Sequence, residues 1–207
     1  MGLLQYYPKI EELTKKYPVV KNAYHELISL YNGTPRSSGR PFITHFLGTA
    51  DRPATYSTKP HIIIAALLHD IAEDYAVSFD DVKAISGSGL TGTACSTIVS
   101  LLTKPASIKD KKIRDQIYMR QLWTGVIENR NREIGIIKIC DRLDNLTDLQ
   151  YLQPERIAFI TKQSISYYFS MALRLNLPSL AAKLVRSTMR HLPQHRCWER
   201  QIMSQGT

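Results

Sequence analysis

Between Ile62 and Asp74 the chain reads IIIAALLHDIAED. The apolar run Ile62–Leu68 is far too short to cross a bilayer, so a helix that starts this way belongs deep inside a protein. The spacing predicts one helix over 62–74, and at about 100° per residue His69, Asp70, Glu73 and Asp74 fall on one arc of roughly 140°. Four titratable side chains in such a place need compensation, because unpaired buried carboxylates cost too much. A divalent cation is a compact remedy. By itself a His-Asp dipeptide is weak, since short motifs also occur on solvated helix ends.

The rest of the chain sets the frame. Helix follows helix: a short one from Ile10, then 21–31 with Tyr24, Leu27, Ile28 and Tyr31 at helical spacing, stopped by Asn32–Gly33. After a loop over 33–39, Pro41 reads as a first helical position for a helix through His45 toward Ala50. Further helices are predicted over 80–85, 91–102, 109–129, 133–151, 155–175 and 179–191, with a frayed tail over 192–207. There is no period-2 alternation and no repeat, so the expected fold is all-α, a single-domain helical bundle over 1–207 with a motif-bearing core at about 32–152. A length of 207 residues, 43% hydrophobic and 22% charged, suits one globular domain.

Composition narrows the setting. Cys95, Cys140 and Cys197 are odd in number and unpatterned, which argues against a disulfide framework or a Cys-type zinc site and for a reducing cytoplasm. The N-terminus has neither a signal peptide's apolar run nor a myristoylation pattern, so a soluble protein with no membrane partner is expected. A net charge of +9 attracts polyanions. Its basic residues are scattered, with Lys15–Lys16 and Lys111–Lys112 as isolated doublets, which disfavours a nucleic-acid module. Oligomeric state is left open.

Two more segments change the weight of the His-Asp pair. His45 lies in RPFITHFLGTA, on a helix whose stripe is Phe42, Phe46 and Ala50. Asp141 follows the near-apolar IIKIC, with Asn145 and Asp148 on the same face and Asp144 close by. Each alone reads as ordinary packing or a polar helix side. Together, two histidines and two aspartates from three helices make a mixed nitrogen–oxygen set suited to Mn²⁺, Fe²⁺ or Zn²⁺ and less to Ca²⁺.

The order His45, His69–Asp70, Asp141 resembles that of the HD superfamily of metal-dependent phosphohydrolases. More closely, RSSGRPFITH, ALLHDIAED, LTKP and IKICDRLDNL resemble the hydrolase domain of the RelA/SpoT family and the small alarmone hydrolases, with the family's gap of 24 from first to second histidine. The resemblance implies that His45, His69, Asp70 and Asp141 hold the metal, typically Mn²⁺. It implies that Glu73 and Asp74 activate or orient the attacking water. Arg36 would pack against guanine, Ser38 would lie near the phosphates, and Asn145 would contact sugar or phosphates. The implied substrate is a small nucleotide polyphosphate, guanosine tetra- or pentaphosphate, cut to GDP or GTP plus pyrophosphate.

The chain departs from the family at Arg40 (often acidic), Phe46 (commonly Pro), Asp144 (usually His) and Asp148 (usually Thr). The last two would oppose substrate anions unless they face away or bind a cation. It is also short for the synthetase and regulatory domains of the long family members, so hydrolysis alone is expected. Two other readings stand: an HD phosphohydrolase of an adenine alarmone, NADPH or a nucleoside monophosphate, and a non-catalytic basic module that binds nucleic acid.

Overall fold

A computed structural model describes residues 3–31, 33–87 and 89–192, and the expected frayed tail lies outside them but for Leu192. By its packing the chain divides into two compact units, Met1–Asp141 and Arg142–Thr207. Among the described residues there is no strand; the one β-type pairing is an isolated bridge between Pro35 and Pro41. No described helix is long and apolar enough to cross a membrane.

The first unit carries α1 (Pro8–Lys16), α2 (Pro18–Leu30), α3 (Ile43–Asp51), α4 (Pro60–Leu67), α5 (Ile71–Asp74), α6 (Phe79–Ile85), α7 (Leu90–Leu102), α8 (Lys111–Trp123) and the first part of α9 (Arg132–Thr147). The second carries the end of α9, then α10 (Pro154–Gln163), a π-helical turn over Ser164–Phe169, α11 (Ser170–Arg174) and α12 (Pro178–Met189). Proline opens α1, α2, α4, α10 and α12, where its missing N–H costs nothing and its fixed φ suits a first turn. Pro41 behaves differently from the expectation. It pairs with Pro35, and α3 starts two residues later at Ile43.

The core of the first unit is built round α3 and α4. Every residue from Ile43 to Ala50 is buried, and Ile62 through Leu68 are fully so. A helix that is apolar all round cannot lie on a surface. Helix α4 packs against α2, α3 and α7, and α6 packs closely on α7. At that contact a Cβ on Gly92 would meet the carbonyl oxygens of Gly87 at 2.0 Å and Lys83 at 2.6 Å. The end of α3 is tied to the start of α1, because Asp51 Oδ1 accepts the backbone N–H groups of Lys9 (3.0 Å) and Ile10 (3.1 Å). This carboxylate satisfies two donors that a helix start otherwise leaves unpaired, and it meets the positive end of the helix dipole.

Two stability changes follow. Gly92→Ala should lower unfolding free energy by about 2–3 kcal/mol through overpacking, and Asp51→Ala by about 1–2 kcal/mol through loss of the cap. Urea unfolding followed by circular dichroism measures both; a parent-like midpoint in either variant contradicts the packing described.

Candidate metal centre

The expected continuous helix over 62–74 is broken. α4 ends at Leu67 and α5 begins at Ile71, with Leu68 (φ −110°, ψ 11°) and Asp70 (φ −112°, ψ 8°) in the sparsely populated region between helix and strand. His69 and Asp70 therefore sit on a turn, not on one face of a helix, and the arc predicted for the four polar residues is not formed. The turn is anchored in apolar packing by Leu68 and Ile71, both fully buried. It brings two adjacent side chains to one point, where successive residues of a regular helix stand 100° apart.

At that point the turn meets α3 and α9. His45, His69, Asp70 and Asp141 each offer one donor atom, all within 4.8 Å of one another. His45 Nε2 lies 3.2 Å from His69 Nε2, 3.5 Å from Asp141 Oδ1 and 3.8 Å from Asp70 Oδ2. His69 Nε2 lies 3.1 Å from Asp70 Oδ2 and 3.8 Å from Asp141 Oδ1. The Nδ1–H of His69 donates to the carbonyl of Ala66 at 3.0 Å, which turns the lone pair of Nε2 toward the cluster. Two ring nitrogens 3.2 Å apart repel unless a proton or a cation lies between them. An ion with bonds of about 2.1 Å would place adjacent donors about 3.0–3.4 Å and opposite donors about 4.2 Å apart, a span that includes the 3.1–3.8 Å seen here, so this set could hold one divalent transition metal.

The charges are arranged to keep both carboxylates ionised. Burial alone would push the Asp70 carboxyl up, but His69, Lys138 and His45 beside it together hold it well below the usual range. Burial, the largest single influence, acts the same way on Asp141, but Lys138 and then His69 and His45 together outweigh it and the repulsion of Asp70, bringing the pKa down to about 2. Asp74 goes the other way, to about 6, through loss of water around its carboxyl and then repulsion by Asp70, with His69 and His45 opposing.

The other expected residues are placed as follows. Glu73 is held by Lys104, whose backbone N–H reaches Oε1 at 2.8 Å and whose Nζ reaches Oε2 at 3.1 Å. Arg36 and Ser38 lie on a tight loop closed by hydrogen bonds from Arg36 N to Arg40 O and from Gly39 N to Arg36 O, both 2.8 Å. Gly39 takes φ +81° there, the left-handed region that glycine enters without strain. The Ser38 hydroxyl is buried with no hydrogen-bond partner. Asn145 belongs to the second unit, one turn of α9 beyond Asp141. Asp144 and Asp148, in the same unit, are both buried.

Two features escaped the sequence reading. Phe46, fully buried, has its ring centroid 5.8 Å from that of His45 and 5.6 Å from that of His69, so it forms the wall on which both imidazoles rest. Lys138 is a buried cation beside two metal-ligand candidates. Its signal was a lysine inside an apolar run three residues before Asp141, the spacing that places two side chains on one helix face.

A family model described as HD domain matches residues 23–177. The guanosine-3′,5′-bis(diphosphate) 3′-pyrophosphohydrolase of Spiroplasma citri is 30% identical over 187 residues, covering 89% of this chain and 24% of that protein. The bifunctional (p)ppGpp synthase/hydrolase SpoT of Escherichia coli K12 is 29% identical over 85% of this chain and 23% of its own length. The chain thus spans about a quarter of the length of the curated relatives it matches. A solved structure described as "a metazoan ortholog of SpoT hydrolyzes ppGpp and plays a role in starvation responses" superposes with a TM-score of 0.60 at 22% identity, covering 83% of this chain and 94% of that one. With the family model matched across most of its length, this chain belongs to the HD domain family.

Proposed function

We propose that this chain is a Mn²⁺-dependent hydrolase that removes the 3′-pyrophosphate of guanosine tetra- or pentaphosphate, leaving GDP or GTP. The observation that carries the reading is the convergence of His45, His69, Asp70 and Asp141 on one point. The substrate is taken from the names of the relatives, whose similarity runs through 85% or more of this chain. The whole chain acts as one hydrolase domain in the cytoplasm, a reading supported by a family match that runs through both packing units.

A bound cation supplies Lewis acidity: it acidifies water and screens phosphate charge. The protein supplies the rest. Asp74, whose carboxyl is raised to about 6 by burial and then by repulsion from Asp70, is the group best suited to accept the proton of the attacking water. Glu73, gripped by Lys104, orients that water. Arg36 lies against the guanine base, the unpartnered Ser38 hydroxyl donates to a phosphate oxygen, and Asn145 contacts sugar or phosphate. The net charge of +9 draws in so anionic a substrate.

His69→Ala and Asp70→Ala should abolish Mn²⁺ binding and hydrolysis while the far-ultraviolet helical signal survives; full activity in either removes the metal reading. A base works only when deprotonated, so activity should be present above the Asp74 pKa and lost as pH falls through it. A bound cation lowers that pKa, which puts the limb at or below about pH 6 in a profile of kcat/KM. Asp74→Asn should slow turnover by roughly 10² or more and remove the limb; an unchanged profile assigns the proton elsewhere. In a nucleotide panel with Mn²⁺, guanosine tetraphosphate should be turned over. Inertness toward it, with turnover of an adenine alarmone or NADPH, would replace the proposed substrate.

A further inference from the structure

The buried ammonium of Lys138 divides the oxygens of the two carboxylates in the cluster. Its Nζ lies 2.9 Å from Asp141 Oδ2 and 3.7 Å from Asp70 Oδ1. The other oxygen of each group, Asp141 Oδ1 and Asp70 Oδ2, is the one that faces the Nε2 atoms of His45 and His69, at 3.1–3.8 Å. Each carboxylate thus turns one oxygen to the imidazoles and one to the lysine. Asp70 Oδ1 is buried and makes no hydrogen bond, so the Lys138 charge is the cation that the structure shows beside it.

The lysine is itself fixed. Its side chain is 5% exposed, and it rises from a stretch of α9 whose neighbours Ile134, Ile137 and Ile139 are buried. The ammonium lies 5.7 Å from the centroid of the Tyr118 ring, and that ring is pinned by its hydroxyl, which donates to the Leu102 carbonyl at 2.7 Å. A lysine is seldom buried so fully unless its charge is paired, and here two carboxylates pair it. Swinging away would leave a buried charge without compensation.

We infer that Lys138 is a positioning residue that holds Asp70 and Asp141 to single-oxygen ligation of the metal. This rests on the metal reading of the four-residue cluster and adds a statement about selectivity. Two imidazoles and two single oxygens would supply four ligands to such an ion. Ca²⁺ favours six to eight oxygens and readily accepts both oxygens of one carboxylate. By bonding Asp141 Oδ2 and holding its charge 3.7 Å from Asp70 Oδ1, Lys138 would deny Ca²⁺ the outer oxygens it favours and leave the set suited to Mn²⁺.

The test is titration calorimetry of the full chain with Mn²⁺ and with Ca²⁺, on the parent and on Lys138→Met, which keeps the bulk and removes the charge. The ratio of Mn²⁺ to Ca²⁺ affinity should fall by about tenfold or more in the variant. An unchanged ratio, whether both affinities hold or both fall together, would mean that Lys138 only supports packing and would overturn the proposal. Failure of the parent to bind Mn²⁺ would instead overturn the metal reading itself. Should Lys138→Met not fold, the parent alone decides through difference infrared spectra on Mn²⁺ binding. The wide splitting of single-oxygen carboxylate ligation is expected, and the narrow splitting of chelating carboxylates would contradict the role given to Lys138.

Discussion

Two carboxylates and two imidazoles confined within 4.8 Å, among largely buried residues, are the constraint on which the rest of this structure turns. Groups of that kind do not gather by hydrophobic packing; each must be carried there by an element whose own burial outweighs the cost. α3 brings His45 because all of its residues but the last are buried. α4 is apolar on every side, so the turn that follows it is delivered to the centre of the unit with little freedom. α9 brings Asp141 at the end of a run of isoleucines. Asp51, capping α1 from the end of α3, and Gly92, where α6 meets α7, hold these elements at a distance from the chemistry.

Much of this was legible. A run of apolar residues ending in His-Asp announces a buried helix with polar groups at its exit, and the recurrence of His and Asp at the ends or within other apolar stretches identifies the set. The break at Leu68–Asp70 was not legible. Helical periodicity extends smoothly from Ile62 to Asp74, and nothing in the local sequence, neither Gly nor Pro, marks the interruption. It coincides with the two residues that face the cluster, a place where tertiary packing overrides local propensity. The starts of α2, α4, α10 and α12 were placed one to three residues late for a simpler reason. Each of these helices opens on a proline, which lies ahead of the apolar periodicity yet fits a first helical position.

The family departures divide into two kinds. Phe46 has a structural account, because its ring supplies the apolar wall behind His45 and His69. Asp144 and Asp148 were expected to be a hazard for an anionic substrate, and their burial removes them from the solvent-facing surface. Lys138 shows the reverse case, a residue that looked like one polar interruption of an apolar run. Its importance appears only when Asp70, 68 positions earlier, is brought beside it.

We propose above all that these four side chains surround a single divalent cation. Anomalous diffraction at the manganese edge from crystals grown with Mn²⁺ tests it most directly. One strong peak per chain is expected, within bonding distance of both Nε2 atoms and of an oxygen from each aspartate. A peak bonded elsewhere, or a cluster that stays empty at saturating Mn²⁺, would contradict it.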